Sequence, residues 1–451
     1  MTAREQLIGE AQAFTVLEDA LRISAADQTE IVLEVAQTGV TRYANNEIHQ
    51  NVLATNTRVA VRAVVGRAIA RAFANSLAPD DLRAAIEAAT TAARLQPQNP
   101  RFVGLPAPAT SSANVTLPQT VFLATADQTP AERAAQVGAI IEAARIAGFT
   151  AFGTAITSLT ELAVVNSLGV RSYAAATSAY LRALIDNGQG TGYADAISRD
   201  AGQIAAESIA QEAIAKCRLN VNQIDLPPGD YAAVLEPNCV ADFVVFPVRH
   251  GLGAQDVERG VSFMTGKFGE TVTGSQVTIW DDPLDPRCLP MPIDYEGMPS
   301  QRITCIEHGI ANAVATDTAT ATRLGLPPNG HANSPWEDDA PQPEHVVMPG
   351  GEATADDLTR NLTRGLRITR LHYTHLPDPK RVIATGTTRD GTFLVENGEI
   401  VAAVKNVRFE QPVLDLLAGI EAMGQVKPCR DWWAANGMGT TMYVLPSLRV
   451  A

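Results

Sequence analysis

Residues 227–255 read PPGDYAAVLEPNCVADFVVFPVRHGLGAQ, and this stretch decides how the second half of the chain folds. A short apolar strand is predicted at Tyr231–Leu235, and a helix-length apolar segment follows it and ends at His250. A loop-rich region with repeated Gly, Asp and Pro then continues to Pro299. Because irregular backbone on a rigid frame is where proteins bind and react, this strand–helix–loop unit is the first place to look for a site.

Length and composition indicate a globular chain with an acidic surface. The 451 residues leave room for two or three domains, and 46% of them are hydrophobic, which is enough for a sizeable core. Thirty-five Lys and Arg against 49 Asp and Glu give a net charge of −14. Since nucleic-acid affinity depends on cations that neutralise phosphates, this balance argues against a nucleic-acid partner.

The sequence also predicts a cytoplasmic protein without a membrane segment. The N-terminal residues MTAREQLIGEAQAF lack the basic and apolar regions of a signal peptide. No apolar run approaches the roughly 18 residues that a membrane span needs. The five cysteines are scattered and form no C-x-x-C, which indicates reduced thiols and neither a disulfide framework nor a zinc knuckle.

Apolar periodicity in the first half predicts two rounds of strand, strand, strand, helix. The predicted strands lie at 30–37, 41–53, 57–74, 149–157, 161–167 and 170–176. The predicted helices lie at 3–22, 79–95, 129–148 and 199–216, with a proline-rich connection at 96–120. We therefore expect residues 1–218 to form an α+β domain with an antiparallel sheet and helices, in which the second round repeats the element order of the first.

The second half, after a linker at Leu219–Gly229, is poorer in helix. Strands are predicted at 276–280, 301–307, 367–373, 392–395 and 400–406. One helix is predicted at Thr354–Gly365, where Thr354 and Asp357 form a capping box. Arg389–Gly391 fits a hairpin turn, and Asn329–Glu344 reads as a polar surface loop. We expect a mostly antiparallel β domain with few helices over residues 219–451.

Several motifs resemble those of one known family. In chain order they are TRYANNEIHQN (41–51), VSFMTGKFGETV (261–272), DDP (281–283), DYEGMPSQ (294–301), IEHGI (306–310), MPGGEAT (348–354), GTTRDGTFLVENGEI (386–400) and PSLRV (446–450). Together they resemble the TldD/PmbA family, a group once called modulators of DNA gyrase and now regarded as metallopeptidases and their companions. The resemblance covers nearly the whole chain and implies a function in proteolysis or peptide maturation.

The active branch of that family carries H-E-x-x-x-H in the helix after the strand that corresponds to Tyr231–Leu235. Two histidines hold zinc, the Glu moves a proton of the zinc-bound water, and a Cys near the C-terminus is a further ligand. Aligned without a gap, this motif falls on VFPVRH, residues 245–250. Val245 and Phe246 have no lone pairs for a metal, so only His250 of the motif is retained.

Two further positions depart from the active pattern. Arg249 would place a positive charge beside a divalent cation, which disfavours metal binding. Cys429 lies in the region of the C-terminal ligand, but counting back from PSLRV puts the expected position nearer Trp432. The comparison with the active branch therefore predicts that the zinc site is absent.

The resemblance implies the TldE/PmbA-like branch, whose members pair with a metal-bearing TldD-like subunit. For this chain we expect no catalytic residues, no cofactor and no metal, with zinc only in a catalytic partner. The expected partners are that TldD-like subunit or a second copy in a homodimer, and a peptide substrate. Strand addition at a sheet edge would let the chain hold an extended peptide through backbone hydrogen bonds.

Two alternatives stay open. The first is a divergent metallohydrolase with ligands relocated to His250, His331 and Cys429, or with a carboxylate metal site within Asp281–Glu296. The second is a stand-alone homodimer that binds a peptide without a catalytic partner. Metal analysis distinguishes the first alternative from the companion interpretation, and co-purification distinguishes the second.

A substrate groove, if present, has six candidate residues: His250, Ser262, Lys267, Glu270, Asp294 and Glu296. Each has a simpler structural explanation as well. A histidine at a helix C-terminus is favoured by the helix dipole, and Asp before Gly or Pro is ordinary turn chemistry. Two other histidines, His372 and His375, are three residues apart on a predicted strand and would point to opposite faces, which disfavours shared metal binding.

Overall fold

The computed structural model describes residues 8–108, 117–337, 340–435 and 441–451. The helices of the first half are α1 (Glu10–Arg22), α2 (Pro79–Leu95), α3 (Leu123–Ala126), α4 (Pro130–Ile146) and α5 (Ala206–Leu219). Its strands are β1 (Gln28–Ala44), β2 (Glu47–Val65), β3 (Ala68–Ala74), β4 (Thr150–Asn166), β5 (Arg171–Asp186) and β6 (Thr191–Ser198). Of the predicted elements, residues 3–7 of the first helix and 109–116 of the proline-rich connection lie outside the described residues.

The first-half strands form one six-stranded antiparallel sheet in the order β3-β2-β1-β4-β5-β6. This order confirms the two predicted rounds, since each round contributes three neighbouring strands and β1 and β4 meet at the centre. The α4 helix begins with the predicted capping box between Thr129 and Glu132. The repeated alternation of apolar residues is therefore a reliable guide to the architecture of this half.

Both faces of this sheet are covered. On β1, Ile31, Leu33 and Val35 point toward α1 and α2 in one apolar core. Val32 points the other way and packs with Leu162 against side chains of the second half, which include Met291, Ile293, Tyr295 and Trp336. The period of two in a β-strand thus puts one set of residues under the helices and the next set against the second half of the chain.

Several predicted boundaries in the first half are wrong. The predicted strands 30–37 and 41–53 are one long hairpin, because Asn45 and Asn46 adopt positive φ angles of 53° and 62° and turn the chain there. Strands 149–157 and 161–167 are one strand, β4, and β6 was not predicted. The helix predicted at 199–216 begins later, at Ala206, since the Asp200 side chain accepts from the Gly202 amide and holds a short 3₁₀ turn first.

The second half contains most of the described strands, and all but one of its described helices are short. Its helices are α6 (Pro237–Gly251), α7 (Ala254–Arg259), α8 (Thr318–Leu324), α9 (Ala355–Arg360), α10 (Val413–Ala418) and α11 (Trp432–Ala435). Its strands are β7 (Ala233–Leu235), β8 (Ile279–Asp281), β9 (Ile303–Glu307), β10 (Ile310–Ala311), β11 (His345–Val347), β12 (Arg364–Asp378), β13 (Ile383–Glu396), β14 (Glu399–Ala403), β15 (Arg408–Pro412), β16 (Ile420–Cys429) and β17 (Met442–Val450).

These strands form an eleven-stranded sheet with the central order β10-β9-β8-β11-β17-β7-β12-β13-β14, to which β15 adds on β13 and β16 on β17. Only the pairs β11–β17 and β7–β12 are parallel among the described strands, so the prediction of a mostly antiparallel β half with few helices is confirmed. The helix predicted at 354–365 is shorter, although Thr354 and Asp357 form the expected capping box.

One turn prediction in this half is wrong. Arg389–Gly391 does not form a hairpin turn but lies inside β13, where Asp390 has a φ of 55° and the pairing with β12 shifts register. A positive φ in a strand is the signature of a local irregularity, and Asp and Gly tolerate it best. Within the described residues, no helix is both long and apolar enough to span a membrane.

Candidate functional site

The α6 helix lies at the centre of the second half. It follows β7 in the chain and packs on β12 and β17. Pro237 occupies its first turn, where a missing N–H costs nothing. Val245 and Phe246 are buried in the apolar core at 1% and 5% exposure. These two side chains therefore contribute to packing, and neither presents a polar atom to a site.

The end of α6 is irregular. Pro247 lies inside the helix, where it lacks the N–H of a regular turn, and His250 has φ −120° and ψ 17°, outside helical geometry. The His250 side chain is exposed. Burial of part of the ring lowers its pKa, Arg249 lowers it further, and Asp256 partly opposes both. The lowered pKa favours the neutral ring, which is the form that binds metals, but one imidazole without further ligands gives little affinity.

A buried carboxylate, Asp242, lies on the same helix and was missed in the sequence. One of its oxygens accepts from the Leu371 amide at 2.8 Å and the other accepts from the Trp432 amide. Burial raises the pKa of Asp242 well above its usual range, and the neighbouring Asp431 raises it further. An acidic residue inside the apolar run VADFVV was the only signal in the sequence, and it did not reveal these partners.

Cys429 lies beside the start of α6 but is a poor candidate for a metal ligand. Its Sγ is 3.6 Å from the Pro237 carbonyl oxygen, to which it donates, and the side chain is 1% exposed. Burial raises the pKa of the Cys429 thiol well above its usual value, and the carboxylates of Asp195 and Asp242 act in the same direction. Metal binding requires a thiolate, which this environment disfavours.

Ser262 is also buried, and its hydroxyl is fully used within the protein. Its Oγ donates to the Gly251 carbonyl at 2.7 Å and accepts from the Met264 amide at 3.0 Å. These bonds tie the loop after α7 to the end of α6. Lys267 and Glu270 follow in exposed turns of the same loop, whereas Ser262 is buried.

Asp294 and Glu296 occupy a different place, at the boundary between the two sheets. Asp294 accepts three backbone amides, from Glu296 at 2.9 Å, Met298 at 2.8 Å and Ala332 at 3.0 Å. Burial raises the pKa of Asp294 to about 7, and the charge of Glu296 contributes to that rise. These three bonds hold the turn on which Glu296 lies.

Glu296 connects the two halves of the chain. One oxygen accepts from Arg62 of β2 at 3.2 Å, and the other accepts from the Thr318 amide at the start of α8 at 3.0 Å. Arg62 also donates to Glu30 of β1 at 2.7 Å. Burial raises the pKa of Glu30, and Arg62 only partly opposes that rise.

A polar cleft of about 590 Å³ opens beside this ion pair, between the two sheets. Its walls carry five arginines, which are Arg62, Arg71, Arg101, Arg259 and Arg323. Four carboxylates, those of Glu30, Glu258, Glu296 and Asp317, also line it. Of the six predicted groove residues, only Glu296 lines this cleft. The assignment of all six residues to a substrate groove stays a prediction.

A second cavity, of about 790 Å³, lies on the α6 side of the second sheet. The linker around Tyr231 forms one wall, and apolar side chains such as Phe243, Leu371 and Phe409 form another. Phe243 and Phe409 meet edge to face with ring centroids 5.3 Å apart. Apolar walls with a few polar groups at the mouth are typical of pockets that bind small molecules or peptide side chains.

His331 and Asp281 form a buried pair between β8 and the segment that precedes β11. The His331 Nε2 lies 2.9 Å from an Asp281 oxygen, and their side chains are 3% and 0% exposed. The segment 329–344 was predicted as a surface loop, and this is wrong for its beginning, where Asn329, His331 and Ala332 are buried. Residues 338 and 339 of that prediction lie outside the described residues.

The relocated metal sites considered from the sequence do not assemble. Across residues 8–108, 117–337, 340–435 and 441–451, no three His, Cys, Asp or Glu side chains are grouped in a way that could hold a metal. His331 is engaged by Asp281, and His372 packs edge-on against Trp432 with ring centroids 5.2 Å apart. Among residues 245–250, only the His250 side chain offers an atom that could bind a metal.

Two stretches of the chain match a class of proteins described as metallopeptidases. Residues 228–451 match the family described as PmbA/TldA metallopeptidase C-terminal domain, and residues 29–93 match domain 1 of the same family. The chain belongs to the TldD/PmbA family, as the resemblance in its motifs indicated.

Curated relatives match over part of their length. A metalloprotease from Methanothermobacter thermautotrophicus is 26% identical over 202 residues, which are 44% of this chain and 43% of that protein. A metalloprotease TldD homologue from Haemophilus influenzae is 27% identical over 236 residues, 51% of this chain and 47% of that protein. The matched region thus spans about half the length of these relatives.

Solved structures share the fold over almost the whole chain. TldE from Thermococcus kodakarensis superposes with a TM-score of 0.86 at 19% identity and covers 96% of this chain and 98% of that one. A candidate modulator of a DNA gyrase from Thermotoga maritima superposes with a TM-score of 0.83 at 18% identity, with 97% and 98% covered. At such identities the likeness establishes the fold alone.

Proposed function

We propose that this chain is a non-catalytic subunit of a TldD/TldE-type zinc metallopeptidase complex that acts in proteolysis or peptide maturation. In this proposal a TldD-like partner supplies zinc and the activated water, and this chain helps to hold the peptide. The observation that supports it most directly is the burial of Val245 and Phe246 in the core at the positions of the expected motif. Neither side chain could reach a metal without unpacking α6.

The polar surroundings of α6 support the same proposal. Asp242 and Cys429 both have raised pKa values because they are buried, so both favour the neutral form. A divalent cation would have to displace the protons of both groups, because its ligands bind in the deprotonated form, and burial opposes that deprotonation. Arg249 adds a permanent positive charge to the end of the helix. We propose the two units 1–218 and 219–451 as the domains of this subunit.

The proposal predicts that the purified chain hydrolyses no peptides and carries less than roughly a tenth of an equivalent of zinc, because one imidazole gives too little affinity. Metal content measured by mass spectrometry, without chelator in the preparation, checks the second part. The His250→Ala variant is the matched control, since its zinc content should equal that of the wild type. Near-stoichiometric zinc together with peptidase activity that disappears in His250→Ala would refute the proposal.

A second candidate function is a stand-alone peptide-binding protein. The apolar cavity of about 790 Å³ favours it, because that cavity needs no catalytic partner to take up apolar side chains. Co-expression with a TldD-like subunit decides between the two functions. Recovery of a stable complex with peptidase activity supports the companion role, whereas peptide binding by the chain alone without any complex supports the second function.

A further inference from the structure

The outer edge of β2 is open along the first half of the strand. β1 pairs with one edge of β2 from Glu47 to Val64, whereas β3 pairs with the other edge only from Val59 to Val65. Among the described residues, no strand pairs with that outer edge between residues 48 and 57. Within the described part of the chain, one side-chain hydrogen bond reaches the backbone there, from Arg133 to the Val52 carbonyl oxygen at 3.3 Å.

This open edge lacks the features that usually prevent strand pairing. Residues 48–57 read IHQNVLATNT and contain no Asp, Glu, Lys, Arg or Pro, in a chain of which 19% of residues are charged. Proteins usually protect a free edge with charged side chains, Pro or a bulge. Ile48, Val52 and Leu53 are also 38%, 42% and 47% exposed. A long, uncharged, partly apolar edge of this kind is suited to pairing with another strand.

We infer that the β2 edge pairs with the β2 edge of a second copy of this chain. A two-fold axis perpendicular to the sheet places the two strands antiparallel, with the same residues on both sides of the interface. Because residues 48–57 carry no charged side chain, no like charges oppose each other in this arrangement. The two six-stranded sheets then become one continuous sheet. The inference concerns the isolated chain and does not depend on the proposed function.

Analytical ultracentrifugation of the wild type and two lysine variants tests this interface. The wild type should sediment as a dimer at micromolar concentration. Val52→Lys should weaken self-association by roughly tenfold or more, since two lysines then face each other near the axis. Leu95→Lys is the matched control, because Leu95 is 81% exposed at the end of α2, near the opposite end of β2, and this variant should remain dimeric. A monomeric wild type, or a Val52→Lys dimer as strong as wild type, overturns the inference.

Single-cysteine scanning over residues 50–54 determines the register. All five native cysteines are buried, so each introduced cysteine provides the exposed thiol. Only the residue that faces itself across the axis brings two Cα atoms within the roughly 4.4–6.8 Å that a disulfide requires. Mild oxidation should therefore cross-link one position strongly and its neighbours weakly. Absence of cross-linking at all five positions contradicts β2 pairing, and it leaves the zinc and activity tests of the proposed function unaffected.

Discussion

Replacing Glu236 by alanine should destabilise the protein by about 3–5 kcal/mol, because it leaves two buried cations without their shared partner. Glu236 precedes α6, and its oxygens accept from Lys216 of α5 at 2.6 Å and from Arg367 of β12 at 2.9 Å. The side chains of Glu236, Lys216 and Arg367 are 8%, 10% and 16% exposed. This carboxylate therefore joins the helix of the first half to the sheet of the second.

The Glu236 network also predicts a dependence of stability on pH. Burial alone would raise the pKa of Glu236, but Lys216 and Arg367 together outweigh burial and lower it to about 2. A carboxyl group with a lowered pKa stabilises the fold above its ordinary pKa, and this contribution is lost as the pH falls toward the lowered value. The wild type should lose stability between about pH 4.5 and 2, and Glu236→Ala should lose less over that range.

Urea unfolding followed by circular dichroism measures both effects. The matched control is Glu212→Ala, which removes the other carboxylate on Lys216, an exposed i,i+4 partner at 2.7 Å. Exposed pairs of this kind contribute at most about 1 kcal/mol, so this variant should remain close to the wild type. If Glu236→Ala and Glu212→Ala lost the same unfolding free energy, Glu236 would not join the two halves as described.

Local signals in the sequence predicted much of the fold. Apolar alternation identified most strands of both sheets, and the pattern Thr129-Pro130-Ala131-Glu132 identified the start of α4, because both depend on neighbouring residues only. Strands β6, β10, β11, β15, β16 and β17 and the continuity of β4 were not predicted. In β4 and β6, polar and glycine-containing stretches are held as strands by pairing with distant residues, and that pairing overrides local propensity.

The candidate site was harder to predict, since its members meet only in three dimensions. The motifs that resemble the family suggested Ser262 and Glu296 as groove residues. In the structure Ser262 bonds to Gly251 and Glu296 binds Arg62, and these partners could not be read from the motifs. Asp242 was missed because its partners Leu371 and Trp432 lie more than a hundred residues away along the chain, and the same is true of Arg367, one of the two partners of Glu236. Buried polar groups need such partners, but a single sequence does not say which ones they are.

We expect a second large loss of stability for Asp281→Asn, because both ring nitrogens of His331 face hydrogen-bond acceptors and must therefore donate. Nδ1 lies 3.0 Å from the Asn329 carbonyl oxygen and 2.9 Å from the Asn329 side-chain oxygen, and Nε2 lies 2.9 Å from Asp281. The Asn329 amide is oriented by its own bonds to the Thr316 amide and the Val314 carbonyl. All neighbours of the ring are acceptors, so His331 is an imidazolium paired with a carboxylate.

The charges of this pair determine the pH range in which it stabilises the protein. Burial alone would lower the pKa of His331 and raise that of Asp281, but their mutual attraction outweighs burial and reverses both directions. The contribution of His331 is complete below its ordinary pKa of 6.5 and is lost as the pH rises through its raised value. The contribution of Asp281 is present above 3.8 and is lost as the pH falls through its lowered value.

Asp281→Asn should therefore cost about 3–5 kcal/mol near pH 6, since it leaves a buried imidazolium unpaired, and the loss should shrink as the pH rises and His331 becomes neutral. Asp282→Asn is the neighbouring control, because Asp282 accepts only the Leu284 amide at 3.1 Å among the hydrogen bonds of its carboxylate to described residues. An asparagine oxygen can keep that bond, so this variant should lose less than about 1 kcal/mol. Urea unfolding at pH 6 and pH 9 distinguishes a loss caused by the charge of His331 from a loss caused by packing. A loss in Asp281→Asn that is the same at both pH values would mean that packing, and not the charge of His331, sets the stability of this segment.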